Sequence, residues 1–137
     1  KLLYLRNSLK PRLIVLMIGV NNFPTDSGEE VAEGIKAILD AIRRKDDAVR
    51  ILLVGPLPAG EKNSPFRKSF EAVHIALPRF GDGVRVSYTD LAFRMLKPDG
   101  SLHPSLFAPD GIHLASGGYR TFAKLLADEI SRLRLLD

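Results

Sequence analysis

Apolar residues fall along this chain in two patterns, short unbroken runs and longer stretches where they return every three or four positions. Leu13 to Ile18 is an unbroken run ended by Gly19, the pattern of a strand buried on both faces of a parallel sheet. Ser27-Gly28-Glu29-Glu30 reads as a capping box, and Val31, Ile35, Ile38, Leu39 and Ile42 follow it as one helical stripe ending near Lys45. Val49 to Val54 repeats the strand pattern and stops at Gly55-Pro56-Leu57-Pro58. Phe66, Phe70, Val73, His74 and Leu77 mark a second helical face, and Val84 to Tyr88 a third, shorter strand. Thr89 to Pro109 has no long period and contains the turn signal Lys97-Pro98-Asp99-Gly100, so it predicts loop with one short helix. Ser116 is expected to cap a last helix whose stripe is Phe122, Leu125, Leu126, Ile130 and Leu133.

The order strand, helix, strand, helix, strand, loop, helix predicts an α/β protein, a three-layer α/β/α sandwich with a parallel sheet and right-handed crossovers. No linker or internal repeat divides it, so residues 1–137 are expected to form a single domain. The chain begins without Met, in a segment where Leu2, Leu5 and Leu9 lie at helical spacing before Lys10-Pro11. That beginning points to truncation or to removal of an upstream segment.

Composition changes this picture little. A content of 45% hydrophobic and 26% charged residues is an ordinary globular balance. The net charge of +4 is spread over Arg12, Arg43, Arg44, Lys45, Arg67 and Arg120 without interleaved aromatics, which reads as a solvated basic surface rather than a nucleic-acid site. No apolar stretch reaches the roughly 20 residues that span a bilayer, so a soluble protein is expected, in the cytoplasm or secreted. The absence of cysteine excludes disulfides and thiolate metal sites and leaves the compartment open.

Candidate chemistry lies after the strands, since open parallel sheets bind ligands beyond the carboxyl ends of their strands. Gly19-Val20-Asn21-Asn22 follows the first strand; Asn21 either closes a turn or aims its amide at a developing oxyanion. Asp110-Gly111-Ile112-His113 stands before the last helix, where Asp110 is either an Asx-turn residue or the orienting partner of His113 as a general base. His74 reads as a packed or flanking residue of its helix, and His103 as a loop residue able to touch substrate. Asp110, His113 and His103 are also possible metal ligands, but no His-x-x-x-His pair or carboxylate cluster accompanies them, and no metal or cofactor is expected. The Gly19 turn lacks the glycine spacing of a phosphate cradle.

Gly19-x-Asn21 after an apolar strand, with Asp110-x-x-His113 ahead of a C-terminal helix, resembles the SGNH, or GDSL, hydrolase family. Gly60-Glu61-Lys62, His113-Leu114 and Gly117-Gly118-Tyr119 resemble in particular the subgroup formed by the alpha subunits of intracellular platelet-activating-factor acetylhydrolase and their bacterial relatives. The resemblance spans nearly the whole chain. It implies a flavodoxin-like SGNH fold lacking its N-terminal strands, with His113 as base, Asp110 as its partner, Asn21 and Gly19 in an oxyanion hole, and Asn22, Leu57 and His103 near the substrate. The family's Gly-Asp-Ser block is missing. Ser8, Ser27, Ser64, Ser69, Ser87, Ser101, Ser105, Ser116 and Ser131 all fall in helices, turns, caps or strand ends rather than a nucleophile elbow.

The expected activity is hydrolysis of a small acyl ester, short-chain or acetyl, through a serine supplied from outside these residues, the 137-residue chain being inactive alone. The edge of the first strand would be left flat and apolar. It is expected to pair with the absent N-terminal segment or with a second copy in a homo-oligomer. The competing expectation is a non-catalytic SGNH-fold module for binding or assembly. Phe93, Leu96, Leu102, Leu106 and Phe107 either line an acyl pocket or anchor their loop to the core.

Overall fold

The computed structural model describes residues 10–137, so the helical end drawn from Leu2, Leu5 and Leu9 lies outside the described residues. Three strands, β1 (Leu13–Leu16), β2 (Arg50–Val54) and β3 (Val86–Thr89), form a parallel sheet in the order β1-β2-β3. Helices α1 (Gly28–Lys45), α2 (Phe66–Ala76) and α3 (Ser116–Arg132) cover it. Successive strands lying side by side with right-handed crossovers put α1 and α2 on one face. The packing shows this partition: Ile51 and Leu53 join the cluster of α1 and α2, while Leu52 and Val54 face Phe122, Leu125, Leu126 and Ile130 of α3. β2 is therefore the buried spine of an α/β/α sandwich, each of its leucines contributing about 1.5–3 kcal/mol on burial.

The capping box of α1 forms as predicted. Ser27 Oγ accepts the Glu30 amide at 3.2 Å and Glu30 Oε1 accepts the Ser27 amide at 3.1 Å, while Arg43, Arg44 and Lys45 fill the last turn, where cations suit the helix dipole. A Cβ at Gly28 would come within 2.3 Å of Ala72, so glycine sets the closest approach of α1 to α2.

Several boundaries differ from the sequence reading. β1 ends at Leu16 rather than Ile18, and Val15 is 39% exposed, so this strand is not buried on both faces. Among the described residues it pairs only with β2. β2 begins at Arg50, and β3 spans Val86–Thr89 rather than Val84 to Tyr88. The cause of the shift is Asp82, whose Oδ1 accepts the amides of Val84, Arg85 and Val86 and holds Val84 in a turn outside the ladder. The N-cap of α3 is Ala115, and Ser116 is its first helical residue with no side-chain cap. Here the loop replaces the cap, the Ala115 amide donating to Leu106 O at 2.9 Å. The α3 stripe is half-buried rather than buried, because it rests on one face of a three-stranded sheet. No helix among the described residues is long and apolar enough to cross a membrane.

The segment Thr89 to Pro109 carries one 3₁₀ turn, Phe93–Met95, and is pinned by isolated bridges Leu96↔Leu102 and Phe107↔Leu114. Leu102 and Phe107 are buried in the main core, Leu96 and Leu106 pack against it, and Phe93 is exposed. Its apolar residues thus chiefly anchor the loop.

Candidate active site

Gly19 leaves β1 with φ +117°, a conformation that disfavours any side chain, and a Cβ there would also meet Val31 of α1 at 2.8 Å. Glycine is required twice at this corner. The chain then turns through a 3₁₀ segment, Val20–Asn22. Asn21 is exposed on that turn, and Asn22 donates its side-chain amide to Asp26 Oδ2 at 3.0 Å. Gly19, Asn22 and Asp26 line a depression of about 250 Å³ against α1.

The second group of residues lies on the turn before α3. Asp110 Oδ1 accepts the amides of Ile112 and His113, both at 2.9 Å, which is an Asx turn. Its Oδ2 stands 2.6 Å from His113 Nδ1. A carboxylate in that position fixes Nδ1 as the donor and leaves Nε2 with its lone pair outward, the tautomer of a general base. The bond from His113, with the two amides behind it, lowers the Asp110 carboxyl to about 2. The carboxylate is therefore ionised throughout the neutral range. The imidazole is open to solvent, its side chain 72% exposed. Gly111, with φ +70°, permits the corner, and its carbonyl accepts the Gly60 amide at 2.8 Å. The Gly60-Glu61-Lys62 loop after β2 is thus tied to the turn that carries Asp110 and His113.

The other candidate residues are dispersed. Leu57 is 9% exposed and packs in the main core. His103 is exposed and bonds Ser105 Oγ through Nδ1 at 2.9 Å. His74 is buried, bonded to Tyr88 Oη at 3.0 Å and Pro56 O at 2.8 Å, and set edge to face against Phe70. Burial pushes the Tyr88 hydroxyl well above its ordinary range. Among the described residues, no three His, Asp or Glu side chains gather as a metal site. Beside the Asp110 turn, Leu102, Phe107, Ala108, Pro109, Gly111 and Ala115 border an open depression of about 670 Å³.

Arg67, grouped by sequence with the solvated basic surface, is instead only 7% exposed. No local pattern signalled this, since its position on α2 borders the apolar stripe and the backbone carbonyls that receive it, Gly60 O and Gly100 O, lie on two loops 7 and 33 residues away.

A family model described as GDSL-like lipase/acylhydrolase matches residues 2–121. The chain is 33% identical over 131 residues to platelet-activating factor acetylhydrolase IB subunit alpha2 of Rattus norvegicus and 34% identical to that of Homo sapiens, covering 92% of this chain and 55% of each relative. It thus spans about half the length of the curated relatives it matches. Among solved structures, one from Streptococcus pneumonia described as a platelet activating factor superposes with a TM-score of 0.73 at 22% identity, over 93% of this chain and 66% of that one. A peptidoglycan O-acetylesterase superposes at 0.67 with 21% identity, over 89% of this chain and 37% of that one. At those identities the two structures speak for the fold.

Proposed function

The chain belongs to the GDSL-like lipase/acylhydrolase family, and we propose that residues 1–137 form one domain supplying the base and oxyanion side of a serine acylhydrolase. The observation that carries this reading is the Asp110–His113 pair, in which a three-times-bonded carboxylate holds Nδ1 and leaves Nε2 free. In the proposed reaction a serine outside these residues attacks the ester carbonyl while His113 Nε2 takes its proton. The imidazolium returns that proton to the leaving alcohol, and water then releases the acyl group by the same path reversed. Asp110 stabilises the imidazolium without taking its proton. Asn21, with the Gly19 amide, sits after β1 on the same carboxyl edge of the sheet and donates to the oxyanion. Asn22 and His103 border the substrate; Leu57 supports the floor from the core.

A short acyl ester, acetyl above all, is the proposed substrate. Its support is the acetylhydrolase and O-acetylesterase named among the similar proteins. The partner is the remainder of the protein or a second copy, seated on the edge of β1 that pairs with no strand among the described residues.

The test is fluorophosphonate labelling with intact-mass readout on residues 1–137 and on the full-length protein, each with and without His113→Ala. Labelling of the full-length protein alone, slowed at least about 10²-fold by His113→Ala, is the expected result. Labelling of the short chain assigns the nucleophile to one of its own serines. No label on either form moves the non-catalytic module ahead.

A further inference from the structure

Arg67 is a buried cation in an unfavourable place. It lies in the first turn of α2, where the helix dipole disfavours positive charge, and no carboxylate forms an ion pair with it among the described residues. Burial pulls its guanidinium below the usual arginine range, against the weaker opposing pull of Glu61 and Glu71. Two of its nitrogens are satisfied by carbonyls: Nε donates to Gly60 O at 3.2 Å and Nη1 to Gly100 O at 2.8 Å. Nη2 is buried with no hydrogen-bond partner among the described residues. A folding requirement alone would be met more cheaply by an apolar side chain of similar volume.

Both receiving carbonyls belong to glycines in the left-handed region, Gly60 at φ +75° and Gly100 at φ +85°. Gly60 in turn donates its amide to Gly111, the third such glycine, inside the turn whose ends are Asp110 and His113. A Cβ on Gly111 would already touch Leu102 at 3.4 Å and the Gly60 backbone at 3.6 Å, so the two loops have little room to slide. We propose that Arg67 is a positioning residue for the Asp110–His113 pair, acting through Gly60 and Gly111 from the floor of the turn. It fixes the Gly60 loop with one arm and the Lys97–Gly100 turn with the other. The height of the Asp110 turn above the sheet follows from where that loop is held. A planar fork with several rigid donors spans two carbonyls that a single ammonium cannot reach together. The proposal rests on the reading of His113 as the reaction's general base with Asp110 as its orienting partner.

The test uses the full-length protein and hydrolysis of p-nitrophenyl acetate. His113→Ala is measured first: retained turnover removes the pair from the reaction and the role of Arg67 with it. With His113→Ala inactive, Arg67→Met is expected to lower kcat roughly 10- to 100-fold with KM within about twofold, the loss that follows from misplacing a base by a fraction of an ångström. In Arg67→Ala, where the deleted side chain leaves room for it, added methylguanidinium should restore part of the lost kcat. Wild-type kcat in folded Arg67→Met, or a loss of kcat in Arg67→Ala with no response to methylguanidinium, overturns the proposal and leaves Arg67 a packing residue. Should Arg67→Met fail to fold, Arg67→Lys carries the test, with a lowered kcat at unchanged KM supporting the role and wild-type kcat refuting it.

Discussion

Gly118 gives the sharpest test of how the loop bearing Asp110 and His113 is held. It stands in the first turn of α3, and a Cβ there would lie 1.9 Å from Leu106 O, 2.9 Å from Leu106 C and 3.1 Å from Leu114 Cδ2. A carbon and a carbonyl oxygen settle at about 3.3 Å, so alanine must open this contact by about 1.4 Å. Leu106 O cannot retreat freely, because it also accepts the Ala115 amide at 2.9 Å, and Leu114 is bridged to Phe107. Overpacking of this kind costs about 1–3 kcal/mol, offset by about 1 kcal/mol of helix propensity gained on replacing glycine. The net loss of stability in Gly118→Ala is then about 2 kcal/mol or more, since the atoms that must move are backbone. Its effect on turnover should be larger, on the order of 10²-fold, since a displacement near 1 Å passes directly into the His113 turn. Gly34→Ala is the control, in mid-α1 with nothing within 4 Å of its new methyl, and should gain stability by about 1 kcal/mol with unchanged turnover. Urea unfolding and ester hydrolysis on the full-length protein read both. Wild-type turnover in Gly118→Ala, with the loop in place, would refute the argument.

Asp110 has a depressed carboxyl, so its contacts stabilise the turn fully above the ordinary value of 3.8 and fade as pH falls toward about 2. A carboxyl titration followed by NMR should place its midpoint near the lower figure, and activity should show no inflection from this group between about pH 4 and 9. Ser27→Ala removes one half of the α1 capping box and should cost about 0.5–2 kcal/mol in urea unfolding, with no change in m-value. Phe70→Ala, at a fully buried ring set edge to face against His74, should cost about 3–5 kcal/mol. A loss below about 1 kcal/mol would mean that the site collapses around the cavity.

The sandwich was legible because period and burial coincide in its central parts. Leu52 and Leu53 face opposite layers and are both buried, so β2 reads as an unbroken apolar run; Ile35, Leu39 and Ile42 share one face of α1 and read as a stripe. The errors fall where a side chain overrides that pattern. Val84 is apolar and adjacent to Val86, yet Asp82 captures three consecutive amides and excludes it from β3. Ser116 is a good cap by type, yet the Leu106 carbonyl binds the preceding amide, and the helix begins one residue earlier than a serine cap requires. Arg67 was read as surface because composition registers its charge and not its partners, which are backbone carbonyls 7 and 33 residues away. The Asp110–His113 contact was readable because its geometry is local, three residues apart across one glycine. The link from Gly60 to Gly111 was not, since a backbone bond between two loops leaves no mark on residue type beyond the glycines themselves.

The two readings that sequence left open for Asp110 are geometrically compatible, because they use different atoms. Oδ1 receives the Ile112 and His113 amides and closes the turn, while Oδ2 faces the imidazole. One rotamer serves both, and each contact helps to pay for the other's loss of side-chain freedom. The separation makes the contributions distinguishable: asparagine keeps the Oδ1 acceptor but presents an amide donor to Nδ1, which favours the opposite tautomer and removes the base, whereas alanine removes both. Asp110→Asn should therefore keep most of the thermal stability that Asp110→Ala gives up, and the two should fall to similar turnover, roughly 10⁴-fold down. Equal stability losses would locate the whole effect in Oδ2, and surviving turnover in the asparagine variant would leave the Asx turn as the residue's only role.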